Sequence, residues 1–266
     1  MGRVKYIAAG VIAVVAVILI VTFVLPLMST SSPAVLIVDK QPVEMNSGSG
    51  YRQAQSGMQL SQGASVKTGA GGAAQIILFG SSVVRLAENT EIKLSELVSG
   101  DAKKFSLDQS AGRTWNKVTK LSGFSEYDVK TPNAVASVRG TAFATRASIK
   151  SIFDLTEGNL SVMADGKSAN IGAGKSAEIS DGTITINDVV IDDFISSNQE
   201  KDRQFLGDVR EKLKNKYATY ISIAKSQYKL TDTQVDEFIN KYLSGAYTQE
   251  EIDAASAQFG GIKISI

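Results

Sequence analysis

The sequence predicts a mainly β extracytoplasmic domain, built as a sandwich or a β-helix-like stack. One transmembrane helix precedes it and an α-helical tail follows it. Three features carry this reading. An uncharged apolar run fills residues 7–25. Short alternating runs, bounded by glycine and small polar residues, fill the stretch from Ala34 to about Ile191. Beyond Phe194 the apolar residues recur in steps of three and four.

The apolar run reads IAAGVIAVVAVILIVTFVL, with Gly10 and Thr22 as its least apolar positions. About 20 apolar residues in a helix cross a ~30 Å hydrocarbon core. A helix also satisfies its own backbone where water is absent. Pro26 stands at the C-terminal end, where a helix can stop. A cleaved signal peptide would have a shorter core and a small-x-small site; Leu27-Met28-Ser29 offers no such site. The run is therefore read as an uncleaved signal anchor. Arg3 and Lys5 precede it, and the first charges after it are Asp39 and Lys40. Cationic flanks stay cytoplasmic. The expected order is a cytoplasmic stub at 1–6, the anchor at 7–27, a Ser- and Thr-rich linker at 28–33, a β domain at 34–193 and a helical region at 194–266. The expected location is the cytoplasmic (inner) membrane, single-pass, with the bulk of the chain periplasmic or extracellular.

Alternation with a period near two marks half-buried strands. The clearest runs are Ala34–Val38, Ala73–Phe79, Ser82–Ala87, Thr90–Leu94, Lys103–Leu107, Lys150–Thr156, Asn159–Ala164 and Thr183–Ile186. Turn chemistry separates them at Ser47–Gly50, Ala70-Gly71-Gly72, Ser99-Gly100-Asp101, Asp165-Gly166 and Asp181-Gly182. Gly69-Ala70-Gly71-Gly72 lacks a following helix and a Gly-Lys-Ser/Thr element, so it is a turn and not a phosphate cradle.

In the tail, Leu206, Val209, Leu213, Tyr217, Tyr220, Ala224 and Tyr228 line one face of a helix expected over roughly 199–228. Leu206, Val209, Leu213, Tyr217, Tyr220 and Tyr228 make a candidate partner-docking stripe, unless the face packs within the chain. A second helix is expected after Thr231 or Thr233 as N-cap, ending near Gly245. Thr248-Gln249-Glu250-Glu251 has capping-box spacing for a third, and Ile262 to Ile266 alternates like a short strand.

Composition narrows the chemistry. The 266 residues include no His and no Cys. Imidazole bases, thiol nucleophiles, disulfides and the usual zinc sites are excluded. With 28 Lys+Arg against 27 Asp+Glu, the net charge of +1 gives no electrostatic footprint for nucleic acid. Glycoside hydrolysis needs two placed carboxylates, and nothing in the spacing of Glu88, Glu91, Glu96, Asp101, Asp108, Glu126 and Asp128 selects a pair. Asp188, Asp192 and Asp193 form an acidic cluster without the ordered ligand ladder of a calcium loop. No catalytic residue, metal or cofactor is expected.

Three stretches, taken together, resemble the FecR domain. The sequence Thr131-Pro132-Asn133-Ala134-Val135-Ala136-Ser137-Val138-Arg139-Gly140-Thr141-Ala142-Phe143 follows that family's T-P-x-A-x-A-x-V-R-G-T-x-F pattern. Val66-Lys67-Thr68-Gly69, the run Ala73–Phe79 and Gly80-Ser81-Ser82-Val83-Val84-Arg85-Leu86 are similar to its V-x-T-G, strand, D-G-S, strand pattern. Phe79 stands where the family has Asp. Glu157-Gly158-Asn159-Leu160-Ser161-Val162 with Ala173-Gly174-Lys175-Ser176 resembles the closing elements, and Ala111-Gly112-Arg113-Thr114-Trp115 the G-x-x-W segment. The resemblance covers roughly residues 35–190. It implies an all-β envelope domain with interaction or signalling duties and no catalysis. The namesake proteins carry a cytoplasmic N-terminal region that controls a sigma factor. Only Met1 to Tyr6 precede the apolar run here, so no direct anti-sigma role is expected.

The motif residues also have a physical reading. Thr131-Pro132 enforces an extended entry. Ala134, Ala136 and Val138 alternate on one face and let another strand approach closely. Gly140 suits a bulge or positive φ. Thr131, Pro132, Ala136, Val138, Gly140, Thr141 and Phe143 are read as structural. Arg139 is either a buried clamp for loops or an anion or glycan contact. Trp115, the only Trp, is either core or a sugar-stacking platform. The expected function is a membrane-anchored, non-catalytic module for protein interaction, scaffolding or signalling, with an envelope protein or a second copy as partner. The alternative is a module that binds cell wall or surface glycan.

Overall fold

The computed structural model describes residues 33–100, 102–119, 122–138 and 140–243. The expected stub, anchor and most of the linker, Arg139, Asp101, the third helix and the strand at Ile262 to Ile266 all lie outside these residues. Among the described residues no helix is long and apolar enough to cross a membrane. The described chain falls into two compact units, one over Ser32–Asp202 and a helical one that starts at Arg203.

The first unit holds sixteen strands in one hydrogen-bonded network with two arms. In the front sheet the order is β1 (Ala34–Lys40), β5 (Ala73–Leu78), β6 (Ser82–Leu86), the second half of β8 (Lys103–Lys117), β11 (Ala142–Ala147), β12 (Ser151–Glu157), β15 (Lys175–Ser180) and β16 (Thr183–Asp188). In the back sheet it is β3 (Arg52–Gln53), β2 (Val43–Asn46), β4 (Ser65–Thr68), β7 (Glu91–Val98), the first half of β8, β9 (Phe124–Lys130), β10 (Val135–Val138), β13 (Asn159–Ala164) and β14 (Lys167–Gly172). All pairings are antiparallel except β8 with β9.

β8 belongs to both sheets. Its residues 104–111 pair with β7, and 112–117 pair with β11. The crossing is at Gly112, whose φ of +85° suits a residue without a Cβ. The bend is held by Thr90, whose hydroxyl donates to Arg113 O at 3.1 Å and accepts from Arg113 N–H at 3.0 Å. Gln109 Nε2 donates to Gly112 O at 2.9 Å. The strand expected at Lys103–Leu107 is thus the first third of a much longer one.

Alternate residues of both sheets form one apolar core, including Leu36, Ile76 and Val84 from the front and Val66, Leu94, Phe105, Val129 and Val162 from the back. Each large side chain removed from water contributes about 1.5–3 kcal/mol. Phe105, Phe124, Tyr127 and Phe79 pack as an aromatic group, with Phe79 edge-on to Phe124 at 5.3 Å. Phe79 adopts φ +48° in the turn between β5 and β6. Its ring fills space in the aromatic group, which sets packing gain against the cost of a left-handed backbone.

Helix α1 spans Asp193–Lys216, α2 Ala218–Tyr228 and α3 Asp232–Leu243. The single helix expected over 199–228 is corrected in two respects. It begins at Asp193, because Asp192 Oδ1 accepts Ile195 N–H at 3.0 Å and opens the first turn. It breaks at Tyr217, where φ −110° and ψ 19° leave helical geometry. The apolar spacing runs through that break and therefore hides it. Thr231 is the N-cap of α3: it accepts Gln234 N–H at 3.2 Å and donates its own N–H to Gln234 Oε1 at 2.9 Å, a reciprocal capping box. Within the helical unit, Lys214 pairs with Asp236 at 2.9 Å and Arg210 with Asn240 at 3.4 Å, so the later turns of α1 lie against α3.

Candidate interaction surface

The outer side of the front sheet's centre carries most of the chemistry. Arg85 on β6, Trp115 on β8 and Ala144 on β11 lie in one cross-strand row. In the next row Arg113 on β8 stands directly opposite Arg146 on β11. Like charges in that position repel, so the face needs anions. The start of α1 supplies them. Asp202 accepts from Arg85 Nη1 at 2.5 Å and from the Trp115 indole N–H at 2.9 Å. Both ion-pair side chains are almost fully buried, 5% and 6% exposed. Asp192 Oδ2 lies 2.6 Å from Arg113 Nη1 and 3.8 Å from Arg146 Nη2. The Arg113 guanidinium also sits over the Phe194 ring at 4.3 Å. Ile195 closes the contact by packing with Trp115, Ala142 and Ala144.

The two carboxylates differ in their electrostatics. Desolvation pushes Asp192 up, but the hydrogen bonds from Arg113 and Ile195 N–H and the charges of Arg113 and Arg146 outweigh it and hold the group below its ordinary value. Desolvation dominates at Asp202 and raises it, although Arg85 and Trp115 act in the opposite direction. A depressed acid stabilises the fold above its unfolded value, near 3.9 for Asp, and loses that contribution as pH falls through the folded value. Asp192→Asn keeps the cap and removes the charge. It is expected to cost about 0.5–1 kcal/mol at pH 7, after discounting for solvent screening. The gap to the parent chain in urea melts should close below about pH 4; a gap that persists there would show the loss to be steric.

Trp115 is 0% exposed. Its ring is core, and no face of it is open to stack on a sugar. The motif residues lie in turns and core. Thr131 closes a turn by donating its N–H to Ala134 O at 2.8 Å, with Pro132 inside that turn, and its hydroxyl accepts from Ser151 at 2.8 Å. Ala136, Phe143 and Thr141 are buried, as is Val138 at the threshold of the core. Ala136 sits between Val129 and Val162 on the neighbouring strands, and all three face the core. Gly140 has φ +69°. Thr141 O accepts Val118 N–H at 2.8 Å.

In the expected docking stripe, Val209 and Tyr217 are buried while Leu206 and Leu213 are half-buried. The stripe is therefore not an open face at those positions. The side chains of Tyr220 and Tyr228 lie outside the described residues. Asp188 and Asp192 of the acidic cluster are bound to Lys175 and Arg113. Among the described residues no group of three or more acidic, His or Cys side chains could hold a metal ion. An open groove on the back sheet is lined by Glu126, Asp128, Ser137 and Asn159 together with apolar Val138 and Leu160. Its polar groups are partly engaged already: Ser137 donates to Asp128 at 2.6 Å and Glu126 pairs with Lys104 at 2.8 Å.

Asp192 and Asp202 are the site residues that spacing did not single out as partners of Arg113 and Arg85. The signal available was a basic strand face, Arg85, Arg113 and Arg146, near which β12 brings only Asp154, 3.9 Å from Arg113.

Residues 64–166 match the family model described as FecR protein. The match contains Arg85, Arg113, Trp115 and Arg146 but ends before Asp192 and Asp202. No curated protein matches. Two solved structures of a candidate anti-sigma factor from Parabacteroides distasonis ATCC 8503 are similar, at 17% and 18% identity and TM-scores of 0.41. Each alignment covers 47% of this chain and 59% of the other, so the chain spans about three-fifths of those structures.

Proposed function

We propose that this chain, which carries a FecR domain over residues 64–166, is a membrane-anchored, non-catalytic module of the cell envelope. In this reading it works by binding another protein in scaffolding or signalling. The family match is the observation that carries the reading. Two further features support it. Charged groups of the front sheet are spent on holding the start of α1, a structural use of acids and bases. The apolar run at 7–25, with Arg3 and Lys5 before it, supports a single span with the N-terminus inside and the β domain outside.

The test has two arms. Protease added to intact spheroplasts should digest the chain beyond residue 33. Sparing until the bilayer is dissolved would overturn the topology. Cross-linking of the full chain in its own membrane should capture a defined protein partner or a second copy. Recovery of the chain uncross-linked under all conditions would end the interaction role, whatever the topology proves to be.

A further inference from the structure

Three of the four sheet edges are protected in different ways. β1 is covered by the segment that follows β3: Leu36 donates its N–H to Met58 O at 2.8 Å, Gly57 to Leu36 O at 2.8 Å and Leu60 to Ala34 O at 2.9 Å. β3 is only two residues long. β14 begins with Lys167 and ends at Gly172. Lysine, short strands and covering loops are the usual protections of an edge.

β16 has none of these. It reads Thr183-Ile184-Thr185-Ile186-Asn187-Asp188, and among the described residues it pairs only with β15. Ile186 is 48% exposed and Val190 just beyond it 78%. Its charged residue, Asp188, is matched by Lys175 at 2.5 Å, so the edge is locally neutral and two copies of it do not repel. Asp181 and Gly182, at φ +49° and +69°, form a two-residue turn that sets Ser180 opposite Thr183. In such a hairpin the closing pair exchanges its hydrogen bonds inward. Ile184, Ile186 and Asp188 therefore turn their N–H and C=O groups outward. An extended chain can take the place of water on a row of groups at that spacing.

We infer that the open edge of β16 is a self-association surface, to which β16 of a second copy of this chain adds antiparallel about a two-fold axis at Thr185. The side chains select the register. Ile184 and Ile186 stand on the core side, because their β15 neighbours Ile179 and Ala177 belong to the core. With the axis at Thr185, Ile184 meets Ile186 of the second copy, Thr185 meets Thr185, and Thr183 meets Asn187. The apolar core then continues across the junction, with about four backbone hydrogen bonds between the outward-facing isoleucines. Moving the axis to Ile186 sets Asp188 against Ile184 and forfeits that match. A contact of one six-residue strand falls at the small end of specific interfaces, so the dimer is weak and concentration-dependent. The inference names a surface and a partner inside the interaction role proposed above. Its test does not depend on that role, because it reads a single register between two copies.

The chain has no cysteine, so Thr185→Cys in the full chain introduces the sole thiol. A non-hydrogen-bonded pair brings Cα atoms to about 4.5 Å, within disulfide reach. Mild oxidation should link Thr185→Cys copies at least about tenfold faster than Thr183→Cys or Asn187→Cys copies, which the axis holds apart. A mixture of Thr183→Cys with Asn187→Cys should link to each other in preference to themselves. Adding Ile186→Lys to Thr185→Cys should slow linking about tenfold while Trp115 fluorescence stays native. Equal rates at the three positions would overturn the inference. So would protection of the β16 amides from hydrogen exchange in a monomer, which would put a segment of the same chain on that edge.

Discussion

Replacing Asp202 with alanine should lower the unfolding free energy by about 3–5 kcal/mol, because it strands the buried Arg85 charge in a site that excludes water. The same carboxylate accepts the Trp115 indole N–H at 2.9 Å, so a second buried donor is orphaned. The charge explanation has a distinct consequence. In Arg85→Met combined with Asp202→Asn, the cation is gone and an acceptor for the indole remains. That double variant should recover most of the loss, to within about 1–2 kcal/mol of the parent, as replacements of buried ion pairs by packed residues do. Urea melts of the parent and the two variants decide it. If the double variant is as unstable as Asp202→Ala, the helix start is held by shape and not by charge balance. The raised value of Asp202 adds a sign to the same experiment. An acid that is easier to protonate when folded contributes more to stability as pH falls through its folded value. This opposes the trend expected of Asp192.

Gly112→Ala should be strongly destabilising, because it joins backbone strain to overpacking. At φ +85° an alanine pays backbone strain of about 1–3 kcal/mol. Its Cβ would also sit inside contact distance of Thr90 Cα and Oγ1 and 2.6 Å from Asn89 O, all of them fixed by the bend itself. Overpacking adds about 1–3 kcal/mol, so the total expected loss is about 3–5 kcal/mol. Gly166→Ala provides the comparison. It too has positive φ, at +72°, but nothing lies within 4 Å of the added methyl. It should cost only the backbone share, about 1–2 kcal/mol. Equal losses at the two positions would mean that β8 can pass between the sheets without a close approach at Thr90.

Much of this fold is legible residue by residue. Asp165-Gly166 and Asp181-Gly182 read as turns, and both form hairpin turns with positive φ at each residue. The runs at Ala73–Phe79 and Asn159–Ala164 lie where β5 and β13 form. Thr231, offered with Thr233 as a cap, closes its own box with Gln234. β2, β3, β4, β9, β11, β14 and β15 fall outside the clearest alternating runs. Ser65–Thr68 and Lys167–Gly172 alternate weakly, and Ala142–Ala147 is buried nearly throughout, so its pattern lacks the polar half of the period.

The sequence by itself determined where the hairpins turn and which alternate residues go inward, and it narrowed the α3 cap to Thr231 or Thr233. Those are properties of a few neighbouring residues, written in backbone geometry with periods of 2 and 3.6. Only the tertiary structure decided that β8 serves two sheets, that Trp115 is sealed, and that Asp202 answers Arg85 from 117 positions away. No local period carries a pairing over that distance. It exists because a buried cation on the sheet must find an anion, and folding alone determines which one arrives.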